Sequence, residues 1–71
     1  MNKIYYTELG SYMLAQGLTV KDVAKKCNVG LKAVYNWINK VHKPNNVKTL
    51  IKLASVLKID VEVLKDYFKE V

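Results

Sequence analysis

The segment VKDVAKKCNVGLKAVYNWIN, from Val20 to Asn39, decides the fold because it holds two apolar patterns of helical spacing separated by a short break. Val23 and Cys27 lie four residues apart on one helical face. Val34 and Trp37 lie three residues apart on a second face. The segment therefore predicts two short helices in succession.

The break between these helices predicts how they are arranged. Asn28 is among the few non-glycine residues that tolerate the left-handed backbone conformation of a tight turn. Ala24 is small at the point where two steeply crossing helices would touch. We therefore predict a helix-turn-helix, a motif whose second helix can enter the major groove of DNA.

Capping signals divide the rest of the chain. They predict five helices. The first covers about residues 4–16 and the third about residues 30–40. The second begins at residue 19, the fourth ends at about residue 57, and the fifth begins at residue 60. The residues at which helices would begin or end are Gly17, Thr19 (in a capping box with Asp22), Gly30, Asn45 or Asn46, and Asp60. Because no stretch alternates convincingly between apolar and polar residues, we predict a single all-α domain of five helices over residues 1–71.

Helical spacing also predicts the buried side chains. Besides the positions named above, it places in the core or near it Ile4, Leu9, Tyr12, Met13, Ile38, Val41, Val47, Leu50, Ile51, Ala54 and Leu57. Cys27 lies at a buried position, so a packed thiol is the expected role and a nucleophile or metal ligand is the alternative.

The charge of the chain suggests a polyanionic partner. Twelve lysines and no arginine stand against six acidic residues, which gives a net charge of +6. From Thr19 to Lys52 there are eight lysines and one acid, Asp22, whereas the remainder has four lysines and five acids. A solvated lysine-rich face is the alternative to a nucleic-acid surface.

Several classes of function find no support in the residues. The sequence contains no apolar run near the ~18 residues of a membrane span, no signal-peptide core, and no nucleophile paired with a base. His42 has no second histidine to share a metal with, so we expect an exposed loop residue. We expect a cytoplasmic protein that is not an enzyme and has no metal, cofactor, small-molecule ligand or membrane partner.

A larger set of residues extends the pattern beyond the turn. Its members are Gly17-Leu18-Thr19, Val23-Ala24, Asn28-Val29-Gly30, Val34-Tyr35-Asn36-Trp37, Pro44, Thr49 to Ala54, and Leu57-Lys58-Ile59. In this order and spacing they resemble the Cro and phage-repressor class of helix-turn-helix domains over roughly residues 9–66. The resemblance implies a compact five-helix, lambda-repressor-like domain, bacterial or phage-encoded, that binds operator DNA, usually as a dimer, and controls transcription.

The chain departs from that class at several positions. Asn28 replaces the usual glycine of the turn, and Gly30 replaces the usual serine or threonine cap. Val20 stands where a phosphate-binding glutamine is common, and Met13 where arginine is common. Lys40 stands where glycine often ends the recognition helix. These departures bear on the binding register more than on the fold.

The second helix of the motif has an outer face that is polar. Lys32 could donate to guanine O6 and N7, and Asn36 could pair with adenine N6 and N7. Tyr35 and Asn39 share this face, and Leu31 or Ala33 could touch a thymine methyl group. Packing against the domain is the alternative for Tyr35 and Leu31.

Contacts to DNA phosphates are expected from the flanks of this helix. The candidates are Thr19, Lys21, Gly30, Lys40, His42, Lys43 and Asn46. Thr19 and Lys21 stand at the start of a helix, where free N–H groups and the dipole favour an anion. Such contacts position a protein on DNA without reading sequence.

The last helix is predicted to form a homodimer interface. After Leu64 and Phe68 pack inward, Val63, Tyr67 and Val71 remain to meet a partner. A two-fold dimer would favour an inverted-repeat operator. The alternative is that the last residues fray and their exposure is incidental.

A different function also fits a helix-turn-helix. The domain could bind protein, as an antirepressor or antitoxin-like partner, through its apolar surface. The missing arginines and the apolar Val20 favour this alternative, whereas the lysine-rich motif favours sequence-specific binding to double-stranded DNA.

Overall fold

Five α-helices account for the regular structure that the computed structural model describes in residues 7–71. They are α1 (Glu8–Ala15), α2 (Val20–Cys27), α3 (Leu31–Ile38), α4 (Val47–Leu57) and α5 (Val61–Tyr67), and residues 7–71 contain no strand. The prediction of an all-α, five-helix domain is confirmed. The expectation of a buried Ile4 lies outside the described residues.

Side-chain caps begin four of these helices. Thr19 forms the predicted capping box with Asp22, Asn46 accepts a hydrogen bond from the Thr49 N–H at 2.8 Å, and Asp60 accepts one from the Glu62 N–H at 3.0 Å. Thr7 caps α1, and its extended backbone makes this helix begin later than predicted. α3 begins at Gly30 without a side-chain cap, since glycine has no side-chain acceptor.

Four helices end in the same backbone motif around a residue with positive φ. In each, the next N–H turns back to a carbonyl five residues earlier, as in the 2.9 Å bond from Val41 to Asn36. The positive-φ residues are Gly17, Asn28, Lys40 and Lys58. The motif stops α3 at Ile38, two residues before the predicted end, because Lys40 already has φ +58°.

One core joins all five helices. Its buried side chains are Leu9, Met13, Val20, Val23, Ala24, Cys27, Val34, Trp37, Ile38, Leu53, Ala54, Leu57, Leu64, Tyr67 and Phe68. The predicted burial of Cys27 and Trp37 is confirmed. Burial raises the pKa of the Cys27 thiol, which disfavours the reactive thiolate.

The buried face of α4 differs from the prediction. Val47 and Ile51 are 63% and 52% exposed, whereas Leu53 is fully buried. α4 packs between α2 and α5, and this position turns the arc around Leu53 and Leu57 inward. Val41, also predicted in the core, is exposed because it follows the end of α3.

The prediction that Tyr67 faces a partner is wrong. Its side chain is 5% exposed and meets the ring of Phe68 edge to face, with centroids 4.9 Å apart. The side chains of Leu64 and Tyr67 in α5, and of Phe68 just after its end, therefore all pack into the core of their own chain. Val63 stays 38% exposed, and Val71 is half-buried against the core.

Candidate nucleic-acid interface

The two helices of the predicted motif pack against each other and divide α3 into two faces. Ala24 of α2 is buried, as its place at the helix crossing requires. Val34, Trp37 and Ile38 form the buried face of α3. The opposite face is exposed, so α3 is held by its apolar side while its polar side is open to a ligand.

The predicted base-reading residues lie on that open face. Leu31, Lys32, Tyr35 and Asn39 are exposed, and Asn36 is half-buried. None of these side chains has a hydrogen-bond partner within residues 7–71. Their donors and acceptors are therefore available to another molecule.

Asn36 also borders a surface groove between α3 and the start of α4. The groove has a volume of about 490 Å³ and brings together four predicted site residues: Asn36, His42, Lys43 and Asn46. Its other polar lining residues, Asn45 and Thr49, were not predicted as site residues. Their place beside the cap of α4 was the available signal.

The loop after α3 is fixed to the recognition helix by its backbone. The Asn36 carbonyl accepts hydrogen bonds from the N–H groups of Val41 and His42, at 2.9 and 3.4 Å. This arrangement places His42 and Lys43 near the side of α3 that bears Asn36. Base-reading and phosphate-binding candidates thus share one continuous surface.

The start of α2 offers less to an anion than expected. The Thr19 N–H already donates to the Asp22 carboxylate at 3.0 Å. Hydrogen bonds from the backbone and the side chain of Thr19 hold the pKa of Asp22 below its usual value, so this carboxylate is charged at neutral pH. Lys21 is exposed beside it and remains the cation available at this terminus.

Lys40 lies apart from the groove. Its Nζ is 4.6 Å from the centroid of the Tyr67 ring, and it shares a cleft with Glu8, Asp66 and Glu70. The contact with the aromatic ring gives its ammonium group a partner within the domain. The structure therefore separates Lys40 from the other phosphate candidates.

The eight lysines from Thr19 to Lys52 lie on more than one surface of the domain. Lys26 and Lys52 line a second groove, between α2 and α4, together with Lys58. No recognition-helix residue lines it. The concentration of lysine in the sequence therefore overstates the charge that faces a single ligand.

The described part of the chain has neither a metal-binding cluster nor a membrane-spanning helix. Among residues 7–71, no group of three or more histidine, cysteine, aspartate or glutamate side chains is placed to hold a metal ion. No helix in that range combines the length and apolarity needed to cross a membrane.

Comparison with known proteins identifies the motif. A helix-turn-helix family model matches residues 9–64, which is more than half of the chain. Neither the curated proteins nor the solved structures include a match to this chain. The chain therefore belongs to the Cro/repressor-like helix-turn-helix family, an all-α family of DNA-binding transcription regulators.

Proposed function

We propose that this protein is a sequence-specific transcriptional regulator that reads the major groove of double-stranded DNA with α3. The observation that carries the proposal is the open polar face of α3 beside a groove that contains Lys43. A helix of this diameter fits the major groove, where every base pair presents a distinct set of donors and acceptors. The helix-turn-helix family supports the same type of ligand.

Within this proposal, each residue on the outer face of α3 makes its own contact with the DNA. Lys32 donates to guanine O6 and N7, and Asn36 makes a bidentate contact with adenine N6 and N7. Leu31 contacts a thymine methyl group. Tyr35 and Asn39 contact base edges or the nearby backbone.

The phosphate contacts come from both sides of α3. Lys43, His42 and Asn46 supply one set at the groove. Lys21 supplies the other at the start of α2, where the Thr19 N–H already donates to Asp22, and the N–H of Gly30 adds a donor at the start of α3. We assign no phosphate contact to Lys40 because its ammonium lies over Tyr67.

The regulator binds as a homodimer in this proposal. Val63 is the exposed apolar residue of α5 and Val71 lies half-buried farther along the same end of the chain. A two-fold interface centred on Val63 would place two copies of α3 in successive major grooves, about 34 Å apart, and favour an inverted-repeat operator. With Tyr67 buried, this interface is smaller than the sequence predicted.

Selection from a random pool of double-stranded DNA tests the proposal. We expect repeated rounds of binding and amplification to enrich one motif with two-fold symmetry. Affinity for this site should exceed affinity for random DNA by roughly 10³-fold or more at physiological salt. Failure to enrich any sequence would contradict sequence-specific binding.

Binding to protein is the second candidate function, and the exposed side chains of Val47 and Ile51 favour it. These apolar residues lie one turn apart on α4, and Val47 lines a cleft together with Lys43 and Asn46. The DNA selection separates the two functions. A protein-binding domain would leave the pool unenriched and would bind DNA, if at all, without sequence preference.

A further inference from the structure

The Tyr67 side chain of α5 reaches the last turn of the recognition helix. Its hydroxyl donates a 2.7 Å hydrogen bond to the Ile38 carbonyl and lies 3.3 Å from the Trp37 carbonyl. These contacts join residues that are 29 and 30 positions apart in the chain. Within residues 7–71, no other side-chain hydrogen bond from a different element reaches α3.

The hydroxyl completes a helix end that the backbone leaves open. The final carbonyls of an α-helix have no partner within the helix. The Trp37 carbonyl also accepts the Lys40 N–H at 3.3 Å, but among residues 7–71 no backbone N–H turns back to Ile38. Because this region is buried, loss of the tyrosine hydroxyl would leave the Ile38 carbonyl without a hydrogen bond.

The side chain of Lys40 covers the Tyr67 ring, whose hydroxyl makes this hydrogen bond. Its positive φ ends α3, and its Nζ lies 4.6 Å from the centroid of the Tyr67 ring. An ammonium group at this distance is attracted to the face of an aromatic ring. One lysine thus both turns the chain after α3 and covers the side chain that holds the end of α3.

We propose that Tyr67 is a positioning residue for sequence readout, an inference that rests on the proposed function of α3. The recognition helix packs mainly on α2 and α1, whereas Tyr67 fixes its C-terminal end to α5. Asn36 and Asn39 lie in the last turn of α3 or directly after it. The hydroxyl therefore sets the height and rotation at which these two amides meet base edges.

The two classes of DNA contact respond differently to an error in this position. A bidentate contact with a base requires placement within about 0.5 Å. A lysine contact with a phosphate is less sensitive, because its long side chain and its point charge adapt. A looser end of α3 should therefore weaken binding to the preferred site more than binding to random DNA.

Tyr67→Phe is the test variant because it keeps the ring, its contact with Phe68 and its contact with Lys40. Tyr12→Phe is the matched control, since it also removes one hydroxyl, which donates to Glu8 on the exposed side of α1. We expect Tyr67→Phe to lower affinity for the selected site roughly three- to tenfold. Affinity for random DNA should change less than twofold for both variants, and Tyr12→Phe should retain the preference for the selected site.

Amide hydrogen exchange supplies a readout that needs no DNA. In Tyr67→Phe, we expect faster exchange at Val41 and His42, whose N–H groups bond to Asn36, relative to amides in α2. A uniform acceleration across all helices would indicate only a loss of global stability. Tyr12→Phe should leave the ratio of the two regions unchanged.

The outcomes separate failure of this inference from failure of the proposed function. If Tyr67→Phe keeps the ratio of specific to random affinity, or if exchange after α3 rises no more than in α2, the positioning role is wrong. If the unsubstituted protein shows no sequence preference, the proposed function is wrong and the readout role fails with it. In that case, local exchange still decides whether Tyr67 holds the end of α3.

Discussion

Thr19 and Asp22 cap α2 reciprocally: the Thr19 N–H donates to Oδ2 of Asp22 at 3.0 Å, and the Asp22 N–H donates to Oγ1 of Thr19 at 3.1 Å. Both ends of this pair lie at the entrance to the helix-turn-helix. The cap fixes the direction in which α2 begins. It also consumes a donor that a phosphate could otherwise use.

This cap should make stability depend on pH. The Asp22 pKa is below its usual value, so its stabilising effect is present above the unfolded-state pKa and is lost as pH falls through the folded-state pKa. Thr19→Ala should lower the free energy of unfolding by about 1 kcal/mol at neutral pH. Urea unfolding at several pH values checks this prediction.

Glu70→Gln is the control for the cap, because it removes an exposed carboxylate that has no hydrogen bond in residues 7–71. It should keep the acid-dependent loss of stability. If Thr19→Ala shows the same acid profile and the same stability as the unsubstituted protein, the reciprocal cap does not stabilise α2.

Lys58→Gly should stabilise the protein. Lys58 ends α4 with φ +57°, a conformation that costs an L-residue roughly 1 kcal/mol and glycine almost nothing. We expect the free energy of unfolding to rise by about 0.5–1 kcal/mol, as measured by thermal or urea unfolding. Lys52→Gly removes the same charge inside α4 and should instead destabilise by about 1 kcal/mol. Destabilisation by both substitutions would refute the assignment of strain to Lys58.

Lys43 should contribute to the salt dependence of DNA binding. Each neutralised phosphate lowers the slope of log affinity against log salt by about 0.9, so Lys43→Ala should make the slope shallower by roughly that amount. Lys52→Ala is the matched control, since its side chain lines the groove between α2 and α4. Equal changes of slope in both variants would show that the DNA surface extends beyond the groove beside α3.

Val63→Asp should weaken the proposed dimer without unfolding the protein. Val63 is exposed, so a carboxylate there meets water in the monomer and an apolar partner in the dimer. Sedimentation at micromolar concentration should show a shift towards monomer, with unchanged helical content by circular dichroism. Ser55→Asp adds the same charge at an exposed position of α4 and should leave the proportion of monomer and dimer unchanged. An unsubstituted protein that sediments as a monomer would contradict the dimer.

Local signals allowed much of the fold to be predicted. The caps at Asn46 and Asp60 and the left-handed turn at Asn28 each depend on a few neighbouring residues, and the structure has all three. The burial of Trp37 followed from its spacing to Val34 within one short helix. Such features need no knowledge of how distant elements pack.

Long-range packing explains what could not be predicted. Helical spacing assigned both Ile51 and Leu57 to the core, but the position of α4 between α2 and α5 decides which arc turns inward. Tyr67 was placed outside because its hydrogen-bond acceptor, Ile38, lies 29 residues away. The position of Lys40 over the Tyr67 ring could not be predicted for the same reason, since the two residues are also far apart in the sequence. These contacts depend on the assembled tertiary structure.

Binding of an Asn36→Ala variant to the selected site and to random DNA tests the central claim, that the outer face of α3 reads sequence. We predict a loss of about 1–3 kcal/mol on the selected site, with relaxed preference at one base pair and nearly unchanged affinity for random DNA. Lys43→Ala, measured in parallel, should weaken both. Equal losses on the selected site and on random DNA for Asn36→Ala would contradict the claim that this face of α3 lies against the bases.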